Sequence, residues 1–205
     1  MSVAPTLPPP VRHLRPAPHW LPDRSRGTAG MALFITTEAA LFGLLFLSAL
    51  YLSGGHLTWP GHEPPRLRLV IPMTALLLAS SLVLYRGERA AERGRRGRAF
   101  LALWSSVGLG VLFLVLQVFE TRDHLRHLSP SSNAYGSIFY ATTGFHGLHL
   151  IVGLLMLAYA GVLGRTEPTE RPPHRPYRNA ALYWHFVDAV WIVILAVLYL
   201  PPNLR

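Results

Sequence analysis

The sequence contains no cysteine and no lysine, and charged residues of every kind are scarce. The absence of cysteine excludes disulfides and thiolate metal sites. Only 14% of the 205 residues are charged, whereas 51% are hydrophobic. The 19 basic residues, all arginine, outnumber the 10 acidic residues and give a net charge of +9. Such an excess is typical either of a nucleic-acid-binding protein or of a membrane protein with positively charged loops.

The few charges are concentrated outside five long apolar stretches. A bilayer-spanning helix needs about 20 apolar residues, and each stretch is long enough. They cover residues 28–53, 67–85, 99–120, 136–163 and 179–200. Soluble amphipathic helices would show a charged face instead. We therefore predict an all-α fold, an integral membrane bundle of five transmembrane helices over 28–200, preceded by a proline-rich cytoplasmic tail over 1–27. No nucleic-acid partner is needed to explain the basic charge.

The arginines also divide unequally between the two sides of this predicted bundle. Fourteen lie in the N-terminal tail, in the loop after span two and in the loop after span four, and five lie on the opposite side. Loops that are rich in arginine and lysine stay in the cytoplasm. The pattern predicts a cytoplasmic N-terminus and an external C-terminus.

Polar groups at membrane depth are costly, so each one is a candidate for function. The candidates are Glu38, His146, His149, His185 and Asp188. Spans one and five enter from the cytoplasm and span four enters from outside. The rise per residue therefore places all of them except His146 in the cytoplasmic half. Glu120 lies at the outer end of span three, where we expect weaker constraints.

The segment FYATTGFHGLHLIVG (139–153) carries two of these candidates on one helical face. At about 100° per residue, His146 and His149 fall in a stripe that should face the bundle or a cleft. The stripe also contains Tyr135, Thr142 and Gly153. The opposite face is made of Gly144, Leu148, Ile151 and Leu155.

Spans one and five carry the remaining candidates. Asp188 shares its face with Trp184, Trp191, Leu195 and Tyr199. His185 borders that face, and its spacing from Asp188 favours a local hydrogen bond. Glu38 lies among phenylalanines and aliphatic residues, where an acid has no obvious structural use. We therefore predict a buried, proton-linked acid at Glu38.

Several uses of these groups remain open at this point. The HxxH pair could ligate a metal, although a site would need further ligands. Haem ligation would need histidines on opposed helices. Hydrogen bonding between helices is the commonest use of such residues, and lipid-headgroup binding or a proton relay are further alternatives. No nucleophile elbow, phosphate loop or dinucleotide fingerprint is present.

Several segments resemble subunit III of the haem–copper oxidases, the cytochrome c and quinol oxidases. They are ITTEAALFGLLF (35–46), YGSIFYATTGFHGLHLIVG (135–153) and YWHFVDAVWIVIL (183–195), and the stretch from Leu78 to Glu120 is also similar. The resemblance covers residues 28–200 in family order. Many members have seven helices, so five helices resemble the short bacterial forms that lack the first two.

The resemblance implies a subunit without haem, copper or other metal, placed in the bacterial cytoplasmic (inner) membrane. Haem and copper would lie in its partners, catalytic subunit I and subunit II, within an oxidase of respiratory electron transport that translocates protons. Glu38 matches the family's carbodiimide-reactive acid, and His149 matches a histidine near phospholipid held in a cleft. His146, His185, Asp188 and Trp191 would complete the polar bundle and this cleft.

The family is thought to support proton uptake and to protect the active site of its complex. Two alternatives are an accessory subunit of a nitric oxide reductase and an independent small proton-linked transporter.

Overall fold

Five long helices make up the computed structural model, which describes residues 23–54, 67–126, 129–131, 133–166 and 174–203. They are α1 (Asp23–Gly54), α2 (Leu67–Glu92), α3 (Arg96–Leu125), α4 (Ala134–Thr166) and α5 (His174–Ile194). A π-helical turn (Leu195–Tyr199) continues α5 into the short α6 (Leu200–Asn203). Each of the five long helices contains a segment that is long and apolar enough to cross a membrane. The all-α, five-span prediction is confirmed.

Two helix boundaries differ from the predicted ones. Residues 1–22 lie outside the described residues, and α1 begins at Asp23, so residues 23–27 are helical. The last proline before α1 is Pro22, and none follows until Pro60, so nothing interrupts helix formation. Helix α2 runs to Glu92 rather than ending near residue 85. Its last two turns are rich in arginine, glutamate and alanine, which are strong helix formers.

The turn between α2 and α3 is built on a single glycine. Gly94 has a φ of 71°, the left-handed conformation that glycine adopts without strain. Its N–H donates to the carbonyl of Ala91 at 3.0 Å, and the N–H of Arg95 donates to Ala90 at 2.8 Å. These bonds close the end of α2. The following helix therefore returns antiparallel along α2, against which it packs extensively.

Side-chain hydrogen bonds identify which helix ends lie together. At one end, Thr28 of α1 donates to Asn179 of α5 at 3.4 Å, and Tyr177 of α5 donates to the carbonyl of Leu84 in α2 at 3.3 Å. The α2–α3 turn lies at this end, which we name the basic end. At the other end, named the distal end, Tyr135 of α4 donates to the carbonyl of Leu198 at 3.0 Å.

Helix α5 is the most buried of the five and packs against α1, α2 and α4. Its Trp184 is fully buried in a slot between α3 and α4. A Cβ at Gly110 would lie 2.5 Å from the Trp184 ring, and one at Gly153 would lie 3.0 Å from it. Small residues at these positions let the helices approach closely around the indole.

Helix α1 is the peripheral helix of the bundle. Phe42 and Ala49 are the buried hydrophobic residues that it contributes to the described core. Other large side chains point outwards, with exposed fractions of 69% for Leu33, 67% for Leu44 and 84% for Tyr51. In a membrane such residues contact lipid or a partner subunit, so exposure here carries no solvation penalty.

Candidate functional site

Glu38 and His149 form a direct contact between α1 and α4. The Nε2 atom of His149 lies 2.8 Å from Oε2 of Glu38. The exposed fractions are 20% for the Glu38 side chain and 13% for the His149 side chain. The two residues are 111 positions apart in sequence, so this contact depends entirely on how α1 docks.

The second ring nitrogen of His149 also has a hydrogen-bond partner. Nδ1 lies 2.6 Å from the carbonyl oxygen of Phe145, which can only accept a hydrogen bond. Nδ1 therefore carries a hydrogen. The Nε2–Oε2 contact then needs one further proton, which belongs either to a neutral carboxyl donating to imidazole or to an imidazolium donating to carboxylate. In both forms the pair is neutral overall and holds one proton between its two partners.

Aromatic rings surround this pair on the side that faces α5. The ring of Phe42 meets the His149 ring edge-on, with centroids 4.9 Å apart, and Phe186 of α5 approaches Phe42 at 6.5 Å. One turn towards the basic end, Phe34 stacks on Tyr183 at 5.9 Å. These contacts dock α1 on α5 beside the pair.

The polar residues of α5 form a separate group that faces α2. His185 contacts the hydroxyl of Ser81 through Nδ1, and Asp188 lies within interaction range of the same hydroxyl. The prediction of a local hydrogen bond between His185 and Asp188 is wrong, because the serine of α2 offers His185 a partner across the helix interface. No hydrogen bond or ion pair of the described residues joins this group to Glu38 and His149.

His146 is fully buried and behaves differently from His149. Its ring lies against Trp191, with centroids 5.2 Å apart, and edge-on to Phe113 at 6.2 Å. Neither ring nitrogen has a hydrogen-bond partner among the described residues. Trp191 itself donates from its indole nitrogen to Thr74 of α2 at 3.0 Å. The predicted stripe therefore does face the bundle, but its two histidines have unrelated surroundings.

The expectation of weak constraints on Glu120 is wrong. Its side chain is 5% exposed, and its Oε1 atom lies 2.8 Å from Nε2 of His124. The same oxygen accepts a hydrogen bond from the hydroxyl of Tyr199 at 2.9 Å. The π-helical turn ends at Tyr199 and presents that side chain to α3. Glu120 thus ties α3 to the C-terminal part of the α5 segment.

Comparison with known proteins identifies the family to which the chain is similar. The family model described as "Cytochrome c oxidase subunit III" matches residues 23–201. The chain belongs to the cytochrome c oxidase subunit III family. It is therefore a multi-pass membrane protein and part of an oxidase complex of respiratory electron transport.

Relatives with similar sequences come from several organisms. A cytochrome c oxidase subunit 3 of Synechocystis sp. is 36% identical over 178 residues, which cover 83% of this chain and 74% of the relative. One from Thermostichus vulcanus is 34% identical over 179 residues, covering 83% and 85%. One from Latimeria chalumnae is 35% identical over 190 residues, covering 88% and 72%.

The metal alternative for the HxxH pair in this subunit III has no supporting geometry. Among the described residues, no group of three or more histidine, aspartate or glutamate side chains is arranged to hold a metal ion. His149 directs Nε2 to Glu38, whereas His146 lies between aromatic rings, so the two imidazoles do not converge on one point.

Two serines of α2 are polar partners that the sequence prediction missed. Ser80 accepts a hydrogen bond from the Trp184 indole nitrogen at 3.0 Å, and its carbonyl accepts one from Ser106 at 2.9 Å. The hydroxyl of Ser81 contacts Nδ1 of His185. The only signal in the sequence is the Ser80–Ser81 pair inside an otherwise apolar run, because hydroxyl groups cost little in a membrane helix and rarely stand out.

Proposed function

We propose that the chain is the non-catalytic subunit III of a bacterial terminal oxidase that reduces oxygen and translocates protons across the cytoplasmic membrane. It packs against catalytic subunit I, with subunit II in the same complex, and the haem and copper belong to those partners. The observation that carries this proposal is the family match over residues 23–201. The broad apolar surface of α1 supports it, because a partner subunit or lipid is needed to cover such a face.

The proposed orientation places the basic end in the cytoplasm. Seven arginines whose side chains the structure describes lie in the last turns of α2, in the α2–α3 turn and at the ends of α3 and α5 that adjoin it. They are Arg86, Arg89, Arg93, Arg95, Arg96, Arg98 and Arg178. At the distal end the described arginines are Arg68, Arg122 and Arg126. The positive-inside rule supports this orientation.

The absence of cysteine makes the orientation simple to test. Single substitutions Arg93→Cys at the basic end and Ser131→Cys at the distal end place one thiol on each side. An impermeant maleimide added to intact cells should label Ser131→Cys, and Arg93→Cys should react after the cells are opened. The opposite pattern would overturn the orientation.

Within the complex, we assign a proton-linked role to Glu38 and His149. The pair holds one proton that can reside on either partner, and both side chains retain partial exposure on the α1–α4 face. The neutral pair becomes positively charged when it accepts a further proton, and it returns to neutrality when it passes that proton on, so no net charge stays in the membrane after the transfer. This arrangement supports delivery of protons towards subunit I during turnover.

Purification of the native complex tests the main assignment. The chain should co-purify with haem-bearing subunits and show no haem spectrum once it is separated from them. Glu38→Gln should leave the subunit inventory and haem content intact while slowing proton uptake by the complex. Activity of the isolated chain in liposomes would favour a transporter, and co-purification with a nitric oxide reductase would overturn the oxidase assignment.

Phospholipid contact at His149 is part of the same proposal. His149 lies on α4 beside Phe145 and Leu148, whose exposed fractions are 42% and 58%. His149→Ala should reduce the phospholipid retained on purification more than it reduces haem content. An equal loss of lipid and haem would indicate a general folding role for the residue.

A further inference from the structure

The basic end contains a cavity that neither the proton-linked pair nor the polar groups of α5 use. It lies between the last turns of α2 and the first turns of α3 and has a volume of about 500 Å³. Sites for small ligands have volumes of about 300–1,000 Å³. Five of the six arginines of the α2–α3 corner line it: Arg86, Arg89, Arg93, Arg95 and Arg98.

The acidic residues of this corner lie elsewhere. Among the described residues, no acidic side chain lines the cavity. Glu88, one of the two glutamates of this part of α2, interacts with Arg178 of α5 instead. Tyr85 lies beneath the guanidinium of Arg89, which is 4.6 Å from the ring centroid. The cavity therefore concentrates positive charge, and one of its arginines is held in place by an aromatic ring.

The walls of the cavity are apolar where they continue along the two helices. Val83 and Ala90 line the α2 wall, and Leu101 and Ala102 line the α3 wall. The membrane-spanning segments of both helices end at this corner, at Glu92 and Arg96. The arginines therefore lie at the level of lipid headgroups, with the apolar walls directed towards the acyl chains.

From this combination we infer that the corner is a binding site for an anionic phospholipid. Guanidinium groups bind phosphate oxygens through paired hydrogen bonds, which an ammonium group cannot reproduce. Basic pockets between membrane helices bind acidic headgroups in this way. The phosphodiester lies among the arginines, and the first methylene groups of the acyl chains lie against Leu101 and Val83. The site is separate from the lipid contact proposed at His149.

The inference is tested by counting bound lipids on the purified full-length chain, together with the subunits that stay attached to it. Native mass spectrometry after incubation with phosphatidylglycerol or phosphatidylcholine gives the count. The wild type should retain phosphatidylglycerol in preference to phosphatidylcholine. The double variant Arg89→Gln/Arg98→Gln removes one guanidinium from each wall and should weaken phosphatidylglycerol binding about thirtyfold.

Two further variants distinguish a specific binding site from general attraction between the basic end and an anionic lipid. Arg96→Gln/Arg178→Gln removes the same charge from the same end, outside the cavity, and should retain the lipid as the wild type does. Arg89→Lys/Arg98→Lys keeps the charge but loses the planar fork, and it should bind several-fold more weakly than the wild type. Equal losses in the Gln pair and its control, or wild-type binding by the Lys pair, would overturn the inference.

Competition with inorganic phosphate distinguishes a bound lipid from a bound free anion. Excess inorganic phosphate should leave the bound phosphatidylglycerol in place, because the apolar walls contribute only to lipid binding. Displacement by inorganic phosphate would assign the cavity to a soluble anion and contradict the lipid assignment. Because lipid counting does not depend on oxidase activity, a negative result here leaves the proposed function untouched.

Discussion

Two glutamate–histidine pairs have the same 2.8 Å separation and very different surroundings. Glu38 and His149 join two helices that are distant in sequence, and Glu38 retains 20% exposure. Glu120 and His124 lie one turn apart on α3, and Glu120 is 5% exposed. Glu120 also accepts a hydrogen bond from Tyr199, so a second helix holds its position.

The comparison shows that a 2.8 Å glutamate–histidine contact does not by itself indicate the role of the pair. The carboxylate of Glu120 is buried and has two partners on one oxygen, His124 of its own helix and Tyr199 of another, an arrangement suited to fastening helices. The carboxyl group of Glu38 has one partner, which can exchange a proton with it, and lies on the peripheral helix. The first pair is suited to stability and the second to proton exchange.

The largest effect that we expect comes from deleting the two acids in turn. Glu120→Ala removes an acceptor of the buried Tyr199 hydroxyl together with the partner of His124, and it should cost about 3 kcal/mol in the free energy of unfolding. Glu38→Ala should cost about 1 kcal/mol, because Glu38 is itself 20% exposed and His149 is its one side-chain partner among the described residues. Thermal unfolding of the purified protein in detergent, followed by tryptophan fluorescence, measures both. Equal costs would remove the distinction between the pairs.

A pair of glycine substitutions sharpens the same contrast between the closely packed part of the bundle and its peripheral helix. Gly110→Ala introduces a Cβ 2.5 Å from the Trp184 ring, and overpacking of this kind should destabilise the protein by about 1–3 kcal/mol. Gly43→Ala on α1 meets no atom within 4 Å and should stabilise the helix by about 0.5–1 kcal/mol. Effects of the same sign would show that the two regions do not differ as described.

The smallest expected effect is the coupling between Glu38 and His149. A double-mutant cycle with Glu38→Gln and His149→Gln should give a coupling energy of about 1 kcal/mol in thermal unfolding. The matched cycle of Glu38→Gln with His185→Gln should be additive, because His185 contacts Ser81 on the other side of α5. Strong coupling in the second cycle would contradict the separation into two polar groups.

Much of the architecture could be predicted because charge and apolarity segregate so cleanly along the chain. The five spans follow from that segregation, and the buried stripe with His146 follows from helical periodicity. The same periodicity explains why Leu148 and Leu155 lie on the exposed face, with exposed fractions of 58% and 65%.

The contacts between helices could not be predicted, because they depend on rotation and docking that no local pattern encodes. The bond between Glu38 and His149 needs α1 to lie against α4, and the sequence indicates only that both residues share a depth. No feature of the sequence around Ser81 indicates that its hydroxyl contacts His185. Glu120 was misjudged because its burial depends on a π-helical turn that presents Tyr199, and such turns have no reliable sequence signature.

Carbodiimide labelling of the wild-type protein, mapped by peptide mass spectrometry, tests the central claim most directly. The reagent needs a carboxyl group that is both accessible and able to hold a proton. We predict modification of the α1 peptide at Glu38, its loss in Glu38→Gln, and no modification of the peptide that contains Glu120. Labelling of Glu120 as strongly as Glu38, or undiminished labelling of α1 in Glu38→Gln, would contradict the account.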